Sequence, residues 1–195
     1  MLWESADKSR SYIITAGWTT SEKYVPSVNP PHAYMYAVDL DGNWQWGKFY
    51  YNQSISINSI TGCHLNDAGM ILTTGLSDPT AIKPYIMEVN PENGKVEHFV
   101  YFVRTEEDDF TEYITTNGIY HDLRDPADGE QYYYASFVYN HKRMQLVKAR
   151  RDTGEIKWNY QYEALQDIMS QHIFLSPDRA EDSRMFWLGT MQNTV

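Results

Sequence analysis

The sequence predicts an all-β protein built from a repeated unit of short strands, and three observations support this prediction. Aromatic residues make up 15% of the chain, including sixteen tyrosines and six tryptophans, which is typical of packed sheets. Short runs rich in β-branched and aromatic residues end at turns that contain glycine. The same order of runs and turns then recurs along the chain, and such self-similarity indicates a repeat architecture.

The first unit opens with the strand-like run Ser11–Trp18 and continues, after a polar loop, with the run Ala33–Leu40. The turn Asp41-Gly42 and the aromatic run Asn43–Tyr50 follow. An Asp-Gly pair between alternating runs is a strong hairpin signal, because glycine accepts the positive φ that a tight turn requires. We therefore expect these two runs to pair antiparallel. A further run, Ile57–Leu65, ends the unit.

The second unit contains the same succession of strand-like runs and turns. After a turn at Asn66–Gly69, the run Met70–Gly75 matches the opening strand of the first unit. The run Tyr85–Asn90, the turn Pro91–Gly94 and the run Lys95–Tyr101 then follow in the same sequence. The cycle of strand, strand, glycine turn and aromatic strand is therefore complete twice.

The third unit contains the runs Tyr132–Phe137 and Gln145–Ala149, the turn Asp152–Gly154 and the run Glu155–Tyr160. The run Met185–Gly189 then opens a fourth unit. We therefore count three complete units and part of a fourth.

The repeat length predicts the architecture of each unit. The steps from Gly17 to Gly75, to Ser136 and to Gly189 are 58, 61 and 53 residues, and each is long enough for four strands with their connections. We predict a β-propeller of about three and a half four-stranded antiparallel blades in one domain that spans residues 1–195. The predicted repeats cover approximately residues 11–69, 70–130, 131–184 and 185–195.

The repeat pattern resembles the quinoprotein-like (PQQ-like) and bacterial-lipoprotein-type propeller repeats. The stretch Asp152–Trp158 corresponds to the hallmark of those families, and Asn66–Gly75 matches their D-x-x-G hairpin element. The sequence departs from the pattern at Ser136, where glycine is expected, and in long loops at 104–109 and 124–130. The resemblance implies a fold, and this fold hosts enzymes, scaffolds and binding platforms alike.

A closed propeller typically has four to eight blades, because ring closure protects the sheet edges and faces. Three and a half blades predict an incomplete ring. Either the chain is part of a longer protein, which we expect, or its open faces are buried against another chain or a further copy. Expressed alone, the segment is expected to associate.

Charge and cysteine content exclude several classes of function. The chain has 16 basic and 26 acidic residues and a formal charge of -10, so we expect no nucleic-acid partner. We also expect no membrane span, since no apolar stretch reaches about 18 residues. Cys63 is the single cysteine, so neither an intrachain disulfide nor a CxxC motif is possible. The compartment stays open: the single cysteine and the lack of a signal peptide favour the cytoplasm, and a longer parent chain allows an extracellular location.

Three histidines fall at similar places in the repeat and are the candidate metal ligands: His64, His121 and His172. A ring of imidazoles near the propeller axis could hold a transition metal. The alternative, which we favour, is that this position keeps a hydrogen-bonding side chain between blades. We therefore predict no metal site and no cofactor.

Other candidate sites have simpler interpretations. The acidic run Glu106–Asp109 could attract calcium, but no calcium-binding spacing accompanies it, and we interpret the run as a solvated loop. Asn52 begins a possible glycosylation triplet, which acts only in the secretory pathway. Four tryptophans could stack on a quinone or a sugar, and we expect them to pack between blades instead: Trp44, Trp46, Trp158 and Trp187.

The sequence lacks the usual nucleophile, zinc and nucleotide motifs, and we assign no catalytic residue. An acidic, tyrosine-rich propeller surface suits a non-catalytic scaffold that holds other protein chains, or further copies of itself, in a larger assembly. The alternative is a quinoprotein-like enzyme or a small-ligand binder with its site at the propeller axis.

Overall fold

The computed structural model describes residues 1–19, 32–50, 57–66, 68–77, 83–102, 114–122, 130–139, 143–163, 167–175 and 185–192. These residues form fourteen strands and contain no helix, so the all-β prediction is confirmed; none of them belongs to a helix able to cross a membrane. The strands are β1 (Leu2–Glu4), β2 (Ser11–Thr19), β3 (His32–Asp39), β4 (Trp44–Phe49), β5 (Ile57–Leu65), β6 (Ile71–Ser77), β7 (Lys83–Val89), β8 (Val96–Tyr101), β9 (Ile114–Asp122), β10 (Tyr132–Tyr139), β11 (Arg143–Arg150), β12 (Ile156–Glu163), β13 (Asp167–Leu175) and β14 (Met185–Gln192).

The strands form four sheets in which strands adjacent in sequence are also neighbours in space. The first sheet has the order β1-β2-β3-β4, the second β5-β6-β7-β8, the third β9-β10-β11-β12, and the fourth contains β13 and β14. The pairs with an assigned register are antiparallel. Each of the three larger sheets is therefore a simple meander, as short hairpin connections require.

The sheets begin one strand earlier than the predicted repeats. The repeat 11–69 grouped β5 with the strands before it, but β5 pairs with β6 across the turn at Asn66. The side-chain oxygen of Asn66 accepts hydrogen bonds from the amides of Ala68 and Met70, and Gly69 has φ 76°, which closes a tight hairpin. By the same grouping the first sheet begins at Leu2, before the first predicted repeat, which begins at residue 11.

The described chain divides into two compact units, Met1–Phe99 and Val100–Val195. The first unit holds the first sheet and most of the second, and the second unit holds the third and fourth sheets. The expectation of a single domain over residues 1–195 stays a prediction.

The hairpin predicted at Asp41-Gly42 is confirmed, because β3 and β4 pair antiparallel on either side of this turn. Gly42 has φ 85°, which suits glycine. The Asp39 carboxylate accepts hydrogen bonds from the side chain and amide of Asn43, from the amide of Asp41 and from the side chain of Gln45. These bonds, those from Asn43 above all, lower the pKa of Asp39 below its ordinary value. A charged carboxylate therefore holds the turn together.

The three larger sheets can be aligned at the residue that opens their last turn, which is Asp39, Asn90 or Arg150. In each sheet, the residue five positions before this one lies on the third strand, opposite a residue of the second strand. The facing pairs are Gly17 with Tyr34, Gly75 with Tyr85, and Phe137 with Gln145. In this alignment Phe137 takes the place of the glycine in the third sheet, and Ser136 lies one residue before it.

Burial shows how the sheets are covered. In the first sheet buried and partly exposed residues alternate along β3, so one face is buried and the other is open. In the second sheet every residue from Ile71 to Gly75 and from Pro84 to Val89 is buried, which requires cover on both faces. In the third sheet the run Tyr132–Val138 is buried throughout in the same way. The first sheet thus differs from the other two in its open face.

Two buried tyrosines and one half-buried cysteine lie within the first unit. Burial raises the pKa of the Cys63 thiol to about 12. Burial raises the pKa of Tyr50 above its ordinary value, and the negative charge of the Cys63 thiolate raises it further. Burial also raises the pKa of Tyr85 well above its ordinary value. All three groups are therefore neutral at physiological pH.

We expect the first unit to lose stability in alkali. The pKa of Cys63 is higher in the folded state than its ordinary value of 9.0, so folding opposes ionisation of the thiol. The unfolding free energy is therefore full below pH 9.0 and falls as the pH rises from there towards about 12. The unfolding free energy should fall by up to about 1.4 kcal/mol per pH unit for each group whose ionisation the fold suppresses. Urea unfolding between pH 8 and pH 11 measures it. The variant C63S should lose less unfolding free energy over this pH range. An equal loss in C63S and the wild type would show that Cys63 does not cause the decline.

Candidate protein-interaction surface

The open face of the first sheet carries four aromatic side chains, Tyr34, Tyr36, Trp44 and Phe49, which we call the aromatic face. Tyr36 stacks on Trp44 with ring centroids 5.7 Å apart, and Tyr34 stacks on Tyr36 at 6.2 Å. Phe49 lies 6.2 Å from Tyr34 in a tilted arrangement. Trp44 nonetheless remains 65% exposed, so a large apolar area is presented to solvent.

Two glycines allow the rings to lie flat on the sheet. A Cβ on Gly17 would lie 3.3 Å from the Tyr34 hydroxyl oxygen. A Cβ on Gly47 would collide with the Trp44 ring. Aromatic rings that cover glycines in this way restore the packing that a strand glycine otherwise lacks. The aromatic face is therefore a flat, ordered layer.

A groove with a volume of about 530 Å³ runs along this layer. Trp18 and Lys48 line it beside the aromatic face and supply an apolar rim and a cation. The exposed apolar surface also extends beyond the groove. Leu2 lies opposite Ile13 in the pairing of β1 with β2, and both exposed side chains lie on the same face of the sheet as the aromatic face. A flat apolar surface of this kind suits the side chains of another protein better than a small polar molecule.

The tryptophans that the sequence assigned to packing between sheets have different environments. Trp46 is buried and its indole N–H donates to the Pro91 carbonyl at 2.8 Å, as expected, but Trp44 is exposed. A β-bulge separates them: Trp46 lies opposite Ala37 while Trp44 lies opposite the next residue, Val38. The extra residue turns the two side chains to opposite faces, which a period of two could not predict.

The other two tryptophans of that group lie in the third and fourth sheets. Trp158 is partly buried between Tyr134 and Tyr160, with ring centroids 6.0 Å and 5.1 Å away. Trp187 lies on β14 opposite Ile173, and its side chain is outside the described part of the structure.

The histidines proposed as a metal-binding ring do not share one register. His64 lies on β5 opposite Leu72, and the aligned position in the third sheet is Tyr120, opposite Tyr134. His121 lies one residue further along β9. His64 and His121 therefore occupy neighbouring and not equivalent register positions of their sheets.

His172 lies on β13 opposite Leu188. The side chains of His121 and His172 are outside the described part of the structure. Within that part, no three His, Cys, Asp or Glu side chains come together as metal ligands. The acidic run Glu106–Asp109 and Asn52 also lie outside the described residues.

The fold and the surface together define a class: an all-β protein of antiparallel meanders with an exposed aromatic face on its first sheet. No family model matches the chain, and no curated protein is significantly similar to it. Its function must therefore be inferred from its own geometry.

Proposed function

We propose that the chain is a segment of a β-propeller and that it acts as a non-catalytic protein-interaction scaffold. The observation that carries this proposal is the aromatic face. The second and third sheets bury consecutive residues on their central strands, whereas the first sheet leaves Trp44 and its neighbours exposed. Exposure of this apolar surface to water raises the free energy of the folded chain, and a bound partner removes that effect by covering the surface.

The propeller arrangement is favoured by the sheets themselves. Each of the three larger sheets is a four-stranded antiparallel meander, which is the topology of a propeller blade. Gly94 and Gly154, with φ 70° and 71°, occupy the same turn of successive sheets. This recurrence agrees with the resemblance of the sequence to the quinoprotein-like repeats. An enzyme or ligand site at the axis stays the alternative prediction.

The chemistry of the aromatic face favours a protein partner. Tyrosine and tryptophan are the residues enriched where protein interfaces concentrate their binding energy. Trp44 is both exposed and held by its stack on Tyr36, so little conformational entropy is lost on binding. The net charge of -10 argues against nucleic acid.

Partner capture by the purified chain tests this function. The variant W44K places a charge at the centre of the aromatic face and should weaken capture about tenfold or more, because hot-spot substitutions cost at least about 2 kcal/mol. N159K is the matched control, since Asn159 is an exposed residue of the third sheet. Equal capture by W44K and the wild type would exclude the aromatic face as the binding surface.

A further inference from the structure

The groove on the aromatic face offers hydrogen-bond donors and few acceptors. The Trp44 indole N–H and the Lys48 ammonium can donate hydrogen bonds but cannot accept them. Neither group donates to a residue that the structure describes, and both side chains are exposed. None of the described residues that line the groove is Asp, Glu, Asn or Gln, so hydroxyls are the only side-chain oxygens of the lining. The groove therefore suits a ligand that accepts hydrogen bonds and has few donors of its own.

Three rings of the aromatic face form one continuous layer. The ring planes of Tyr34 and Tyr36 differ by 8°, and those of Tyr36 and Trp44 differ by 12°. Steps of 6.2 Å and 5.7 Å between ring centroids lead from Tyr34 across Tyr36 to Trp44. A ligand that covers this layer therefore needs apolar groups at more than one point along its length.

A proline-rich segment in the polyproline II conformation has both properties. Proline lacks a backbone N–H, while the carbonyls of such a segment make no internal hydrogen bonds and remain free to accept them. The helix has three residues per turn and rises about 3.1 Å per residue, so proline rings on one side of it recur at intervals of about 9 Å. Two such rings can therefore rest on the aromatic layer at once.

Charge and entropy favour this ligand over others that stack on aromatic rings. Lys48 is the only charged residue among the described residues that line the groove, so it attracts an acidic residue placed beside the prolines. A sugar matches less well, because each of its hydroxyls must also donate a hydrogen bond and the lining has few acceptors. The polyproline II helix is largely formed before it binds, so it loses little conformational entropy.

We propose that the aromatic face binds a proline-rich segment of a partner protein in the polyproline II conformation, with an acidic residue of that segment beside Lys48. In the complex, proline rings pack on Tyr36 and Trp44, and a carbonyl of the segment accepts a hydrogen bond from the Trp44 indole N–H. The inference rests on the proposed function, because it gives the chemical class of the partner that the same face binds.

Fluorescence polarisation of labelled peptides tests the proposal with the full chain. One probe is an oligoproline that ends in glutamates, and the second has glycine and serine in place of the prolines, with the same length and charge. The wild type should bind the oligoproline about tenfold or more tightly than the second peptide, because the flexible peptide loses more conformational entropy and has no rings to pack. Equal binding of the two peptides would overturn the inference.

Two substitutions of Trp44 separate the ring from the hydrogen-bond donor. W44A removes both and should weaken oligoproline binding about tenfold or more, as the loss of an interface hot spot does. W44F keeps an aromatic ring and removes the indole N–H, so it should weaken binding about fivefold, the effect of one net hydrogen bond. Circular dichroism checks that both variants fold. Wild-type affinity in either folded variant would contradict the proposed contact.

Reversal of the charge at Lys48 tests the acidic residue of the ligand. K48E should bind the glutamate-ended oligoproline about fivefold more weakly than the wild type, the upper end of what an exposed ion pair contributes. It should instead prefer a matched oligoproline that ends in lysines. The control K157E makes the same change of charge on β12, in the second unit, and should keep the wild-type preference. An unchanged preference in K48E would contradict the proposed pairing.

Two further outcomes distinguish this inference from the proposed function. Partner capture that W44K weakens, without any binding of the oligoproline by the wild type, would overturn the inference and leave the proposed function intact. Sedimentation velocity examines the other occupant, a second copy of the chain. Association of the wild type that W44K abolishes would show that two aromatic faces cover each other, and it would also overturn the inference.

Discussion

The variant G154A is expected to lose about 3 kcal/mol of unfolding free energy, from backbone strain and from overpacking together. Gly154 has φ 71°, which an alanine adopts only with strain. Its added Cβ would also collide with the backbone carbonyl of Tyr101, which cannot rotate away as a flexible side chain could. Urea unfolding monitored by tryptophan fluorescence measures the loss.

The matched control for this variant is G42A. Gly42 has nearly the same backbone conformation, φ 85°, but a Cβ there would meet nothing within 4 Å. G42A therefore isolates the backbone strain and should lose only about 1 kcal/mol. Equal losses in the two variants would show that the turn at Gly154 does not pack against Tyr101.

Replacement of Trp46 by alanine should destabilise the first unit by about 4 kcal/mol, as large-to-small substitutions in a packed core do. Trp46 is 7% exposed, and its indole donates to the Pro91 carbonyl. The W46A variant therefore loses apolar burial and leaves a buried carbonyl without its donor. Thermal unfolding followed by circular dichroism measures the effect.

W44A is the control on the same strand. Trp44 lies two residues away and differs mainly in facing solvent, so its removal should cost no more than about 1 kcal/mol. W44A should instead weaken partner binding. A W44A variant as unstable as W46A would mean that both indoles are buried, and the aromatic face would no longer be an open surface. The pair of variants therefore separates folding from binding on one strand.

The sequence by itself determined the glycine turns and most of the strands. Asp41-Gly42 and the glycines of the later turns could be placed because a positive φ is a local requirement that few residues meet. The strand at Tyr132–Phe137 could be placed because aromatic and β-branched residues favour extended backbone wherever they occur. The recurrence of these signals predicted three similar sheets, and three four-stranded meanders are present.

The tertiary structure alone decided how the strands group into sheets and which faces are covered. The sequence could not place β5 in the second sheet, because hydrogen bonding between strands and not strand propensity settles that choice. Nor could it separate Trp44 from Trp46, since the β-bulge that turns them apart depends on the register with β3. The open aromatic face follows from both facts: long-range pairing fixes the sheet, and the bulge decides which tryptophan solvent reaches.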